Sequence, residues 1–337
     1  MLDPIKKPKT FGGTVKLTTM RTELALAAVA LIVVAPMTSP VFASPRVVRT
    51  IDVGQDPLSV AFSPNGKKAY VANEGDDTVS VITVAKGLET DTITVGDGPA
   101  SVAFSPNGTK AYVTNHNDDT VSVITVATGE ETSTIDVGNY PYSVAFSPNG
   151  EKAYVTNVNA DTVSVITVAT GEETSTIDVG DYPISVAFSP NGTKAYVANL
   201  LDATVSVITV ATGEETSTID VGDYPLSVAF SPNGKKAYVT NAHDDTVSII
   251  SVATDLETDT ITVGDYPASV AFSPNGKKAY VTNFDHDTVS ILSVAKGLET
   301  HTIPVGDGPG SVAFSPNGKK AYVANSNDDT VSAITKR

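Results

Sequence analysis

Short apolar runs alternate with turn-forming residues along most of the chain. In the stretch 101–115, SVAFSPNGTKAYVTN, two apolar runs are joined by Pro-Asn-Gly. Asn-Gly between β-branched and aromatic runs is typical of a hairpin, because both residues tolerate the positive φ of a tight turn. A run rich in Val, Ile and Thr follows at 120–127, and a more polar run follows at 131–137. The pattern predicts a unit of four antiparallel strands, each about six residues long.

This unit recurs along the chain without an insertion. The pentapeptide FSPNG occurs seven times at intervals of 42 residues, starting at Phe62, Phe104, Phe146, Phe188, Phe230, Phe272 and Phe314. One four-stranded sheet cannot bury both of its faces alone, so such a period is typical of propeller blades. We therefore expect an all-β fold, a seven-bladed β-propeller of four-stranded antiparallel blades. The chain has no Trp, which argues against WD40 repeats.

The repeat resembles a known family. KAYVTN occurs at Lys110 and Lys152, and either KAYVTN or KAYVAN is present in all seven copies, together with SVAFSPNG and variants of DTVSVI. These motifs resemble the YVTN-repeat β-propeller family found in archaeal and bacterial surface-layer and cell-surface proteins. The resemblance covers about 290 residues. It implies the propeller fold and an extracytoplasmic location, but a fold does not determine a function.

Residues 1–43 have the features of an export signal. Five basic residues precede an uncharged run that starts at Leu24, and a region rich in Pro and small residues ends in Val-Phe-Ala. That ending fits the pattern of a signal-peptide cleavage site. We expect a signal peptide at 1–43, with Met20 as an alternative start, and the propeller at 44–337. An uncleaved anchor over 24–43 is the alternative, since twenty uncharged residues can span a bilayer.

The two ends of the chain complement each other. The segment 46–54, RVVRTIDVG, resembles the fourth strand of a unit, whereas the last copy stops after its third strand. We predict that 47–53 pairs with 330–334 and completes the last blade. This closure removes two open sheet edges that would otherwise invite aggregation.

The charge balance is acidic, with 22 Lys plus Arg against 38 Asp plus Glu, which argues against nucleic acid as a partner. The chain has no Cys and therefore no thiolate site. Loops between blades and loops after the second strand share one side of a propeller, which we call the acidic face. It carries no Lys or Arg and the acids Asp56, Glu74, Asp76, Asp77, Asp97, Asp118, Asp119, Asp161, Asp181, Asp202, Asp223, Asp244, Asp245, Asp265, Asp285, Asp287, Asp307, Asp328 and Asp329.

Apolar substitutions on the acidic face concentrate in the third to fifth repeats. An apolar patch rimmed by carboxylates is typical of a protein-binding site. The alternative is that the tyrosines only pack the turns between blades. The predicted contact residues are Tyr140, Tyr142, Val158, Tyr182, Ile184, Leu200, Leu201, Tyr224 and Leu226.

Other candidate sites are weaker. Calcium prefers six to eight oxygen ligands, and paired aspartates offer some of them, but Asp in turns also bonds its own backbone. The weak metal candidates are Asp76, Asp77, Asp118, Asp119, Asp244, Asp245, Asp328 and Asp329. Asn107 and Asn191 begin N-x-T sequons on hairpin tips and could be glycosylated. The four His are expected to be solvated loop residues, and the axial positions of the inner strands are expected to be small or aliphatic.

These features together predict a secreted or cell-surface propeller that works without catalysis. It would bind a protein or cell-envelope component through its acidic face and need no cofactor, with no membrane insertion after signal cleavage. One alternative is a propeller enzyme, either lactonase-like or similar to haem or quinone oxidoreductases. Another is a calcium-stabilised adhesin, which fits the acidic loops.

Overall fold

The structure is a computed structural model that describes residues 44–335. The signal peptide predicted at 1–43 lies outside the described residues. Within them, no helix is both long enough and apolar enough to span a membrane.

The strands and short 3-10 helices follow the repeat closely. In chain order the strands are β1 (Arg46–Asp52), β2 (Pro57–Phe62), β3 (Lys68–Asn73), β4 (Thr78–Thr83), β5 (Leu88–Thr94), β6 (Pro99–Phe104), β7 (Lys110–Asn115), β8 (Thr120–Thr125), β9 (Glu130–Asp136), β10 (Pro141–Phe146), β11 (Lys152–Asn157), β12 (Thr162–Thr167), β13 (Glu172–Asp178), β14 (Pro183–Phe188), β15 (Lys194–Asn199), β16 (Thr204–Thr209), β17 (Glu214–Asp220), β18 (Pro225–Phe230), β19 (Lys236–Asn241), β20 (Thr246–Ser251), β21 (Leu256–Thr262), β22 (Pro267–Phe272), β23 (Lys278–Asn283), β24 (Thr288–Ser293), β25 (Leu298–Pro304), β26 (Pro309–Phe314), β27 (Lys320–Asn325) and β28 (Thr330–Thr335). The 3-10 helices are Glu74–Asp76, Phe284–His286 and Ser326–Asp328.

These strands form seven antiparallel sheets of four, which confirms the predicted fold class. Blade 1 is β2 to β5, blade 2 is β6 to β9, and the count continues to blade 6, which is β22 to β25. In each of these blades the first strand is innermost and the fourth is outermost. The fourth strands are mostly exposed, whereas the second and third are largely buried. Residue type follows position, because Val, Ile and Tyr occupy the strands that are covered on both faces.

Blade 7 is built from both ends of the chain, as predicted. Its order is β1, β28, β27 and β26, and β1 pairs antiparallel with β28, for example Val47 with Ile334 and Asp52 with Thr330. Ile51 is 4% exposed and packs into the core between blades 7 and 1. The Arg49 guanidinium donates to the carbonyl oxygens of two blade 1 residues, so the first strand also ties blade 7 to blade 1.

Aromatic pairs fill each junction between blades. A buried Tyr from the second strand of one blade packs against a Phe from the first strand of the next, with ring centroids 4.5 to 4.7 Å apart. Such pairs favour tilted arrangements because of the ring quadrupole. The junction between blades 7 and 1 has the same pair, Tyr322 and Phe62. The ring is therefore closed by side chains as well as by β1.

Candidate functional site

A cavity of about 300 Å³ lies on the propeller axis at the inner strands and opens toward the acidic face. Each blade contributes the serine of its SVAF motif to the lining, namely Ser59, Ser101, Ser143, Ser185, Ser227, Ser269 and Ser311. These side chains are small, as expected for the axial positions, but their hydroxyl groups were not recognised as part of a site. The serine of SVAF recurs in every copy, and this recurrence was the signal that sequence reasoning passed over.

The seven serines form a hydrogen-bonded ring around the cavity. Each Oγ accepts the backbone N–H of the Val in the next blade, at 3.2 to 3.4 Å. Their own hydroxyl hydrogens have no acceptor among the described residues. Since a serine hydroxyl can donate once and accept twice, these groups can each donate a hydrogen bond to a ligand in the cavity.

The wall of the cavity is uneven. The residue before each serine is large on blades 1, 3, 4 and 5 (Leu58, Tyr142, Ile184 and Leu226) and small on blades 2, 6 and 7 (Ala100, Ala268 and Gly310). The side with smaller residues is partly filled by Tyr266, Phe284 and Ser326, which come from the loops of the acidic face. The repeat therefore encloses an asymmetric chamber, as a site for an asymmetric small molecule requires.

The predicted apolar contact residues largely come together. Eight of the nine belong to one cluster, in which Val158, Ile184 and Leu200 are buried and the tyrosines and Leu226 pack against them. Leu201 stands apart and is 64% exposed. Val158 and Leu200, at 1% and 4% exposure, lie inside the cluster and offer no surface to a partner. Tyr142, Ile184 and Leu226 line the axial cavity instead.

The turn tyrosines have a backbone role. Tyr140, Tyr182, Tyr224 and Tyr266 have φ between 52° and 61°, the left-handed region that few non-glycine residues adopt. Blades 2 and 7 place glycine at this position. The tyrosine side chains reach neighbouring groups: Tyr140 stacks on His116 with ring centroids 4.5 Å apart, and Tyr224 stacks on His243 at 4.1 Å.

His116 is a buried histidine, and the expectation that it is a solvated loop residue was wrong. It is 4% exposed, and its Nε2 lies 3.3 Å from Oε1 of Glu74 in the neighbouring blade. Its Nδ1 is buried without a partner among the described residues. A Cβ at residue 98 would lie 2.6 Å from the His116 Nε2, so Gly98 makes room for the imidazole. Glu74 keeps 38% of its side chain exposed.

Glu74 acts electrostatically on the cavity wall. The pKa of Tyr142, which lines the cavity, is raised to about 12, first by burial and then by the Glu74 carboxylate and neighbouring tyrosines. Burial, Glu74 and Tyr182 also raise the pKa of Tyr140. Both phenols therefore stay protonated at neutral pH and act as O–H donors. Glu74 and His116 do not line the axial cavity themselves, but Glu74 is close enough to act on Tyr142 in its wall.

The aspartates named as weak calcium candidates accept backbone hydrogen bonds, and calcium binding stays a prediction. The first of each pair accepts an N–H from the inter-blade turn of its own blade, and the second accepts one from the next blade, at 2.7 to 3.0 Å. We call the second kind the aspartate links; they occur at Asp77, Asp119, Asp161, Asp245, Asp287 and Asp329. Residues 44–335 contain no group of three or more His, Cys, Asp or Glu arranged to hold a metal ion.

The opposite face carries larger but more uniform depressions. Two of about 640 and 650 Å³ lie between the hairpin tips of neighbouring blades. They are lined mainly by turn residues that recur in every blade, so they follow from the repeat itself. The sequon residues Asn107 and Asn191 are exposed on these tips, and each side-chain oxygen accepts from the threonine two residues on. Glycosylation at these two positions stays a prediction.

Comparison with known proteins places this geometry in a family. A family model described as lactonase, 7-bladed beta-propeller, matches residues 42–179 and 138–297, which together exceed half of the chain. No curated protein matches the sequence. A solved structure titled Kuenenia stuttgartiensis Hydrazine Synthase is 24% identical with a TM-score of 0.78, covering 83% of this chain and 96% of that one; at this identity the likeness concerns the fold.

These findings correct one expectation. The propeller class inferred from the YVTN resemblance is confirmed, while the surface-layer type stays a prediction. The expectation of a chain without catalytic activity was wrong, because the matching family model is that of an enzyme family. The uneven cavity and the contact between Glu74 and the buried His116 are compatible with that result. The chain belongs to the lactonase, seven-bladed β-propeller family.

Proposed function

We propose that this protein hydrolyses small lactones in the axial cavity, with Glu74 as the general base and His116 as its positioning partner. The observation that carries the proposal is the 3.3 Å contact between the Glu74 carboxylate, whose side chain is 38% exposed, and the almost fully buried imidazole of His116. A catalytic base needs a fixed orientation and an accessible lone pair. His116 holds one oxygen of Glu74, and the second oxygen is left for water.

The chemistry requires one proton transfer in each direction. Glu74 takes a proton from water while the water oxygen attacks the lactone carbonyl carbon. The ring C–O bond then breaks, and the leaving alkoxide takes the proton back from Glu74, so that lactone plus water gives one hydroxy acid. Negative charge develops on the carbonyl oxygen in the transition state, and preorganised O–H donors stabilise such charge. The free serine hydroxyls and the protonated Tyr142 are the donors available in the cavity.

The position of the pair among the repeats supports this proposal. The residue after each YV[TA]N is Glu in blade 1 and His in blade 2, whereas the other five blades have Val, Leu, Ala, Phe and Ser there. This position differs in every repeat, and the residues that occupy it in two neighbouring blades, Glu74 and His116, contact each other. Turns elsewhere on this face use aspartate carboxylates to accept backbone N–H groups, and they do so without a buried imidazole.

Hydrolysis of neutral γ- and δ-lactones, followed with a pH indicator, tests the proposal. We expect Glu74→Gln to lower kcat by roughly 100-fold or more, the usual effect of losing a general base. His116→Gln should lower kcat less, because it removes orientation and leaves the carboxylate. The matched control is Glu130→Gln, an exposed glutamate on β9, which should match wild type. Wild-type activity that survives Glu74→Gln would contradict the assignment of the base.

We also propose that the enzyme works outside the cytoplasm, since residues 1–43 resemble an export signal. Contact with a protein or cell-envelope component is proposed at the exposed Leu201 beside the turn tyrosines. Cell fractionation tests the first point, and a protein found only in the cytoplasm would contradict it. The N-terminus of the exported protein then distinguishes cleavage, with a start at Ser44, from a retained anchor. Neither proposal requires a bound cofactor.

A further inference from the structure

Charge is distributed unequally between the walls of the axial cavity and its rim. Among the described residues, those that line it are neutral, and their polar groups are serine and tyrosine hydroxyls. Carboxylates lie at the rim. Glu74 contributes to the raised pKa of Tyr142, and Asp285, after burial and Tyr224, contributes to that of Tyr266. A ligand inside therefore experiences a negative potential with no buried countercharge to meet it.

Three aromatic side chains face this space. Tyr142 lines it from blade 3, and Tyr266 and Phe284 line it from blade 6. The Tyr266 and Phe284 rings are 6.1 Å apart at 60° to each other, so they present differently oriented surfaces. The faces of aromatic rings attract cations through their quadrupole, and groups of such rings recognise substituted ammonium ions.

The surroundings of the cavity add to this preference. The acidic face carries nineteen Asp and Glu residues and no Lys or Arg. A cleft of one sign with low-dielectric walls concentrates ligands of the opposite sign and speeds their arrival. An anionic substrate would have to cross this field and would find hydroxyl donors but no cationic side chain. A neutral substrate would gain nothing from the field.

On the basis of the proposed function, we propose that the preferred substrate is a lactone that carries an ammonium group. The ammonium group lies against Tyr142, Tyr266 and Phe284, and the ester carbonyl faces the serine hydroxyls. Glu74 then has two effects, because it activates water and adds to the potential that draws the cation in. The same features select against lactones that carry a carboxylate or a phosphate.

Three γ-lactones of one ring size test this assignment: one with an α-ammonium group, the unsubstituted ring and one with a carboxylate. At low ionic strength we expect kcat/KM to be at least tenfold higher for the ammonium lactone than for the carboxylated one, in line with electrostatic effects of roughly 10- to 1,000-fold. Added salt should shrink that ratio, since it screens exposed charges. If the neutral or carboxylated lactone is hydrolysed at least as fast, the charge assignment fails while the proposed function stands.

A cation that binds without being hydrolysed tests the cation site separately from lactone hydrolysis. Tetramethylammonium should bind, measured by calorimetry, and should inhibit hydrolysis competitively, whereas the neutral tert-butanol should do neither. Phe284→Leu keeps an apolar side chain but removes a ring face, so it should weaken tetramethylammonium binding several-fold, and Phe284→Tyr should keep it. If no lactone is hydrolysed, the proposed function fails. If tetramethylammonium also fails to bind, or binds Phe284→Leu as well as wild type, the cation site fails too.

Discussion

One of the seven blade junctions lacks its aspartate link, and restoring it is a sharp test of how these links work. Ala203 stands where the other blades have Asp77, Asp119, Asp161 and their counterparts. It has the same left-handed backbone, with φ of 53°, but cannot accept the Tyr224 N–H. The substitution Ala203→Asp supplies the acceptor in the geometry that the six other junctions already show, at 2.8 to 3.0 Å.

The expected gain can be estimated from three contributions. A hydrogen bond to a charged group contributes about 1.5 to 3 kcal/mol when protected from water, and we take about 1 kcal/mol because these links are at the surface. Asp tolerates φ > 0 better than Ala, which adds a few tenths of a kcal/mol. Repulsion from Asp202 and Asp223 subtracts a similar amount at physiological salt. The net stabilisation is about 1 kcal/mol, or roughly 2 to 4 °C in Tm for a large domain.

Urea unfolding and thermal melts of four variants measure this effect. Ala203→Asn offers the same acceptor without charge and should stabilise by a similar amount or less. Asp161→Ala removes a link and should cost about 1 kcal/mol. Ala211→Asp adds a carboxylate on an exposed turn of the other face and is the charge control. The reasoning is refuted if Ala203→Asp is no more stable than wild type while Asp161→Ala also unfolds at the wild-type midpoint.

Three further outcomes follow from the structure. Ile51→Ala removes a side chain that is 4% exposed and should lower the free energy of unfolding by roughly 2 to 5 kcal/mol. Val48 is 45% exposed, so Val48→Ala should change this free energy by less than about 0.5 kcal/mol. Equal effects of the two substitutions in chemical unfolding would mean that β1 does not close the ring. Burial raises the pKa of Tyr70, Tyr142 and Tyr280 to about 12. The unfolded chain loses these protons first, from about pH 10, so the stability that comes from burying protonated tyrosines is present below pH 10 and is lost as pH rises towards 12. We therefore expect the urea midpoint to decrease from about pH 9 to about pH 11, and an unchanged midpoint would contradict the burial of these tyrosines. Leu201→Asp should leave stability within about 0.5 kcal/mol of wild type and reduce retention of an envelope partner in pull-down, and unchanged retention would remove Leu201 from the proposed contact.

The fold could be predicted almost completely from the sequence, because the same pattern of apolar runs and turn residues occurs seven times. The 42-residue period, the Asn-Gly turns and the incomplete last copy were enough to place every strand type and the pairing of β1 with β28. The grouping of the apolar residues of repeats 3 to 5 into one cluster also followed from their equivalent positions. Their burial did not, since periodicity says which loop a residue occupies but not which way its side chain turns.

The candidate site was harder to predict for a related reason. Glu74 and His116 lie in different repeats, and nothing local in the sequence indicates that they approach to 3.3 Å. The serine ring was visible as a recurrent residue, but its contact with the axis depends on strand register. Backbone bonding by the loop aspartates was expected as the alternative to calcium binding, but the sequence did not show that the acceptors serve N–H groups of neighbouring turns and blades. Recurrent positions thus supply the scaffold and the serine donors, whereas positions that vary between repeats supply Glu74, His116 and Tyr142.

The pairing of β1 with β28 also determines the order in which the molecule can be completed. Arg46 pairs with Thr335, which is synthesised almost 300 residues later. The strand β1 therefore cannot pair with β28 until synthesis is nearly complete. Contacts between residues so distant in sequence form slowly, because loop-closure entropy must be overcome first. A circular permutant that starts between two blades would put all four strands of blade 7 in one continuous segment. It should refold faster and be less vulnerable to proteases during synthesis, with the same finished ring.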